Sequence, residues 1–182
     1  MRTRILPFLL VLLFLAGASS ASEPCTATPA GDGAWKLQPV TGTGVHFFST
    51  AIVHSAIPTA TATIQRSTET VELSGDLTGR ILYHPTSVFD FVKGTLVNTG
   101  NQVFSGTVLG SEPVLLYDDS FRFEVDLVTG ATVGVVHLTD TLAGPRIRCH
   151  LDVTGTGVGA DGNPTFAYTG TCRIKNKDAD SN

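Results

Sequence analysis

Charge is scarce in this chain. Of its 182 residues, 15% are Asp, Glu, Lys or Arg, against roughly 25% in an average globular protein. There is no cationic excess either: 12 Lys and Arg stand against 16 Asp and Glu, a formal net charge of −4. That balance lacks the electrostatic footprint of a nucleic-acid binder, so no nucleic acid is expected as a partner. Disorder is excluded by the opposite deficit, because 42% of the residues are apolar and a disordered chain needs low hydrophobicity. Three cysteines are too few to build a disulfide-framed miniprotein. No Asn-x-Ser/Thr sequon occurs, since Asn163 is followed by Pro164. Beyond residue 22 no window carries a capped 3.6-residue apolar period, which removes helical folds from consideration.

Catalytic signatures are also missing. There is no Gly-x-Ser-x-Gly elbow. Gly42 and Gly44, and Gly155, Gly157 and Gly159, lack a following helix and read as turns or strand ends, not as phosphate cradles. No cofactor motif is present and no cofactor is expected.

What is there begins with an export signal over residues 1–21. Arg2 and Arg4 precede an apolar run from Ile5 to Leu15, and Ala16-Gly17-Ala18-Ser19-Ser20-Ala21 supplies small residues for cleavage. The run is shorter than the roughly 20 residues that span a bilayer. Ser22-Glu23-Pro24 before Cys25 is not a lipoprotein context. The expectation is therefore a secreted or periplasmic protein, without stable membrane insertion after cleavage. Its parts are an N-terminal arm (22–34), a folded body (35–174) and a polar tail (175–182).

The body reads as strands. Thr alone is about one residue in seven, and Val, Ile, Phe and Tyr add further strand formers. Phe121, Phe123, Val125 and Leu127 alternate with Arg122, Glu124 and Asp126, the pattern of a half-buried strand. A two-residue turn at Thr129-Gly130 places Phe121 opposite Leu138, Phe123 opposite Val136 and Arg122 opposite His137. A second hairpin turns around Gly159-Ala160-Asp161-Gly162. Reflection about Ala160-Asp161 sets Cys149 against Cys172 on apolar faces, the arrangement of a cross-strand disulfide. Three cysteines allow three single bridges. With Cys149–Cys172 formed, Cys25 is left as a free thiol or as the link of a covalent dimer.

Further strands are expected near 35–41, 44–57, 61–73, 79–92, 93–98 and 102–110. Thr99-Gly100-Asn101 is expected to turn, with Leu96 facing Phe104, and His84-Pro85 to break or bulge its strand. Eight or nine short antiparallel strands fit a single β-barrel, closed so that no edge is exposed. A β-sandwich is the alternative.

The segment Ser74-Gly75-Asp76-Leu77-Thr78-Gly79, followed by Gly94-Thr95 and by Phe104 to Thr107, resembles the allene oxide cyclase-like barrels. That calycin-type group includes bacterial secreted proteins of unknown function and, more distantly, plant dirigent proteins. The resemblance implies a barrel with a lumen able to hold an apolar small molecule; it carries over no catalytic residue. Gly33-Ala34-Trp35 is similar to the first-strand Gly-x-Trp of lipocalins, where a Trp plugs one barrel end, and Thr139-Asp140-Thr141 echoes their Thr-Asp-Tyr without the Tyr.

Alternation assigns Phe121, Phe123, Val136, Leu138, Ile147, Leu151, Phe166 and Tyr168 to the interior, either as packed core or as walls of an apolar cavity, with Tyr83, Tyr117 or Tyr168 offering a hydroxyl. Five histidines, at 46, 54, 84, 137 and 150, show no metal spacing, and no metal is expected. His46 and His54 fall on one face of a single strand, and His137 and His150 on solvated faces. Asp118-Asp119-Ser120, with Glu112, reads as an acidic turn or a calcium loop. The leading expectation is a non-catalytic barrel that binds a small apolar ligand. Its rivals are a cyclase or isomerase that uses the lumen and a structural or surface-interaction module. A buried ionisable group in the lumen would favour the enzyme.

Overall fold

The computed structural model describes residues 34–175. The expected signal peptide, the rest of the expected arm with Cys25, and the tail beyond Lys175 lie outside the described residues. The described chain forms ten strands and one short 3-10 turn: β1 (Trp35–His46), η1 (Phe48–Thr50), β2 (Ile52–Pro58), β3 (Ala62–Gly75), β4 (Leu77–Asp90), β5 (Thr95–Val108), β6 (Val114–Asp126), β7 (Thr132–Leu138), β8 (Asp140–Ala143), β9 (Ile147–Val158) and β10 (Pro164–Lys175).

Eight of these close into an antiparallel barrel. Around the ring the order is β1, β10, β9, β7, β6, β5, β4, β3 and back to β1. The seam is narrow: β1 and β3 pair only over Gly42–His46 and Val71–Gly75. Higher up, β3 exchanges β1 for the extra strand β2, which covers its edge from Thr63 to Thr68. On the far side, β6 makes the same exchange between β8 and β7.

Alternation places the core. On β9, Ile147, Cys149, Leu151 and Val153 are buried while Arg148, His150, Asp152 and Thr154 are exposed, as a strand with one wet face requires. The interior packs as one apolar cluster that includes Leu77, Phe104, Leu116, Leu138, Ile147 and Tyr168, with Phe123 and Phe166 half-buried against it. Four aromatic residues sit directly across from glycines: Tyr168 from Gly42, Phe166 from Gly44, Phe121 from Gly100 and Phe123 from Gly134. A Cβ on Gly134 would lie 2.0 Å from the Phe123 ring, so each glycine is the floor on which a ring lies.

The second hairpin has the expected register from Gly155–Phe166 to Ile147–Ile174, after a one-residue shift next to the turn. Cys149 stands opposite Cys172 and the two are bonded, with both sulfur-bearing residues buried. The first hairpin differs. Phe121 faces Val136, Phe123 faces Gly134 and Arg122 faces Val135. The turn is a four-residue loop, because the Asp126 carboxylate accepts the N–H groups of Val128 and Thr129 and draws both into the bend. The two-residue shift keeps every face assignment.

Four other expectations fail. Thr99-Gly100-Asn101 does not turn: β5 runs unbroken through it, because Gly100 is there to admit Phe121. Leu96 and Phe104 therefore lie along one strand and do not face each other. His84-Pro85 neither breaks nor bulges β4. Ladder pairing with β3 lapses only between Arg66–Thr86 and Glu69–Tyr83, without a change of register, while Pro85 is buried opposite Gly100. The expected strand 44–57 divides at η1, which separates His46 on β1 from His54 on β2. Trp35 is no plug: it is 42% exposed, with the Arg148 guanidinium 5.7 Å from its ring centre.

Candidate functional site

Toward the end of the barrel where β1 gives way to η1, the inner face turns polar. Reading β3 upward, the inward positions are Leu73, Val71, Glu69 and Ser67; on β4 they are Ile81, Tyr83, Pro85 and Ser87. A charged residue inside a barrel needs partners, and Glu69 has three. His46 Nε2 lies 2.6 Å from Glu69 Oε2, the Tyr83 hydroxyl donates to the same oxygen at 2.7 Å, and the Ser67 hydroxyl donates to Oε1. His46 Nε2 and Tyr83 Oη are themselves 2.6 Å apart.

The electrostatics follow from this geometry. Burial pushes the Glu69 carboxyl upward, but the bonds from His46, Ser67 and Tyr83 and the nearby imidazole outweigh it and hold its pKa below the ordinary value. Tyr83 is driven strongly upward by burial, by the Glu69 charge and by its hydrogen bond to that carboxylate, so it remains a donor. The Glu69 side chain is almost wholly enclosed, whereas that of His46 is 19% exposed. His46 is thus the more accessible member of the pair. Phe48 packs edge-on to His46, and Phe121 edge-on to Tyr83.

The row continues around the wall. Register aligns Glu69 with Tyr83, Tyr83 with Gln102 and Gln102 with Asp119 across four successive strands, and all four residues are buried. Asp119 is neither a turn residue nor a calcium ligand in an acidic loop. Asp118 adopts φ 54° and makes a bulge in β6, and this turns Asp119 inward, where Oδ1 accepts the Thr139 N–H at 2.7 Å. Burial pushes the Asp119 carboxyl up to about 7, against the pull of backbone donors at Thr139 and Asp140 and with help from the charges of Asp140 and Asp118. Gln102 Nε2, Asp119 Oδ2 and Asn98 Oδ1 are buried without a partner among the described residues.

Of the residues expected inside, Phe121, Val136, Leu138, Ile147, Leu151 and Tyr168 are buried, and Phe123 and Phe166 half-buried. Tyr168 is committed elsewhere: its hydroxyl accepts the Leu77 N–H at 2.8 Å and points at the Ser74 and Leu77 carbonyls, pinning the β3–β4 turn. Tyr117 is exposed and borders a cleft of about 250 Å³ at the opposite end, with Trp35, Asp140, Arg146 and Arg148. Glu69 and its partnership with His46 and Tyr83 escape a reading of the sequence, because the three residues come from three strands. The available signal was a carboxylate at an inward position between Ser67 and Val71.

Among the described residues, no group of three or more His, Cys, Asp or Glu gathers as a metal site. No protein-family model matches the chain, and no curated protein is detectably similar to it in sequence.

Proposed function

We propose that this chain is a small-molecule-binding barrel whose polar upper interior receives the ligand. The observation that carries the reading is the buried row Glu69–Tyr83–Gln102–Asp119, which ends in polar atoms without a partner among the described residues. Buried donors and acceptors are almost always satisfied, so groups of this kind favour a guest that brings the complementary atoms. The rings of Phe121 and Phe123, 5.6 Å apart beside Tyr83, favour an apolar body. The ligand class is thus a compact amphipathic molecule: an apolar ring or chain against the phenylalanines, with a hydroxyl or carbonyl toward the row. The buried Cys149–Cys172 disulfide supports a secreted or periplasmic home. On β9 the outward residues are Arg148, His150, Asp152 and Thr154, a water-facing row.

A second reading rests on a separate observation. Two enclosed carboxyls have been driven apart, Glu69 downward and Asp119 up to about 7. Environments that split two carboxyls in this way favour a base and an acid on one barrel wall, groups of the kind an isomerase or cyclase uses.

Native mass spectrometry of protein recovered from its own source tests the first reading. Extra mass that leaves on denaturation supports binding; a bare chain overturns it. Incubating the recovered molecule with the protein in D₂O then separates the two readings. Deuterium incorporation that disappears in Glu69→Gln assigns turnover, and its absence leaves binding alone.

A further inference from the structure

On the outside of the barrel, on two paired wall strands away from the seam, two histidines stand opposite one another: His137 on β7 and His150 on β9. Both are exposed. Their Nδ1 atoms are 3.3 Å apart, with ring centres at 4.8 Å and planes inclined by 46°. Two imidazole nitrogens bound to one tetrahedral zinc ion at about 2.0–2.1 Å lie roughly 3.3–3.4 Å from each other. We propose that His137 and His150 form a surface Zn²⁺ site, the ion held between the two Nδ1 atoms and its remaining positions filled by water.

Three features support this beyond the spacing. The strands that carry the two rings are directly paired within a closed barrel, so the bite is set by the backbone and not by flexible loops. The second nitrogen of His150 faces a carboxylate: its Nε2 lies 3.8 Å from Asp152 Oδ1, longer than a hydrogen bond, and a side-chain rotation would bring the two into the carboxylate–imidazole–metal relation that fixes the tautomer and raises ligand basicity. The flanking outward positions in the same row, Ser120 and Thr171, are small hydroxyl residues that leave the open side of the ion clear. The other histidine pair on the surface is built differently. His54 and His84 are each bonded to the Thr68 hydroxyl, at 2.7 Å and 2.9 Å, so a protein oxygen already occupies the space between them.

Isothermal titration of the full chain with ZnCl₂, in the Cys25→Ser background so that no third cysteine can take the metal, provides the test. One zinc per chain is expected. His137→Ala and His150→Ala should each abolish binding, and Asp152→Asn should weaken it several-fold. His54→Ala and His84→Ala should leave it unchanged. All five positions lie on the outer face, and circular dichroism will verify that each variant folds. Absence of binding to the parent, survival of binding in the His137→Ala/His150→Ala double variant, or loss of it in His54→Ala would overturn the proposal.

Discussion

Glu69 and Tyr83 stand directly opposite each other on β3 and β4, and the tyrosine hydroxyl reaches the carboxylate at 2.7 Å inside the barrel. A bond to a buried charge is worth more than one between neutral groups, about 1.5–3 kcal/mol. Tyr83→Phe should therefore destabilise the fold by about that amount in urea denaturation. In the Glu69→Gln background the same change should cost clearly less, because the acceptor no longer bears a charge. Equal costs in both backgrounds would show that the pair is not coupled.

The pH response of Glu69 has a definite sign. Its folded pKa is lowered from 4.5, so the stabilisation it supplies is present above that value and is lost as pH falls below it. Melting temperatures below pH 4.5 should drop more steeply for the wild type than for Glu69→Gln.

Asp119 behaves in the opposite way. Its folded pKa is raised from 3.8 to about 7, so its contribution is full below about pH 4 and disappears as pH rises to about 7. Asp119→Asn keeps an oxygen for the Thr139 N–H and removes the buried charge. Its melting temperature relative to wild type should increase steadily across that interval and level off above it. A difference that stays constant with pH would rule out a titrating Asp119.

The disulfide joins strands that are already neighbours, across a separation of 23 residues. Cys149→Ser or Cys172→Ser should each cost about 2–5 kcal/mol. Peptide mapping without reduction should recover the two segments as one linked species.

Gly134→Ala should cost about 1–3 kcal/mol through overpacking, since its Cβ would overlap the Phe123 ring. Adding Phe123→Leu should restore part of the loss. Gly134→Ala alone behaving as wild type would show that the ring moves freely.

The second hairpin was legible because its turn residues and its cysteines name the same register independently. The first was legible in its faces but not in its register, since alternation cannot count loop residues and the Asp126 side chain decides the loop length. Gly100 misled for a physical reason. Glycine marks a turn when the backbone must bend and marks a strand when a neighbour's ring needs floor space, and only the sheet reveals that Phe121 lies across from it. Pro85 misled similarly, because the missing donor interrupts the ladder for two residue pairs and leaves it in register on either side. The candidate site was least visible. His46, Glu69 and Tyr83 meet only after the sheet curls, and their spacing in the chain follows no local geometric rule.

The ring closes through strands that are remote in the chain. β1 finds its long partner in β10, from Trp35–Lys175 to Val45–Thr165, and its short partner in the lower end of β3. Every other wall strand can pair with one made just before or just after it, apart from the step from β7 to β9. A folding chain can therefore zip β3 through β7 by local steps, yet β1 gains its main ladder only when the last described strand arrives. Contacts over such separations are slow to form. Without β1 in place, Glu69 lacks its imidazole partner His46 and the wall strand that carries it. Enclosure of the carboxylate thus depends on a ladder between the first and last described strands, and whatever loosens that ladder exposes the charge to water.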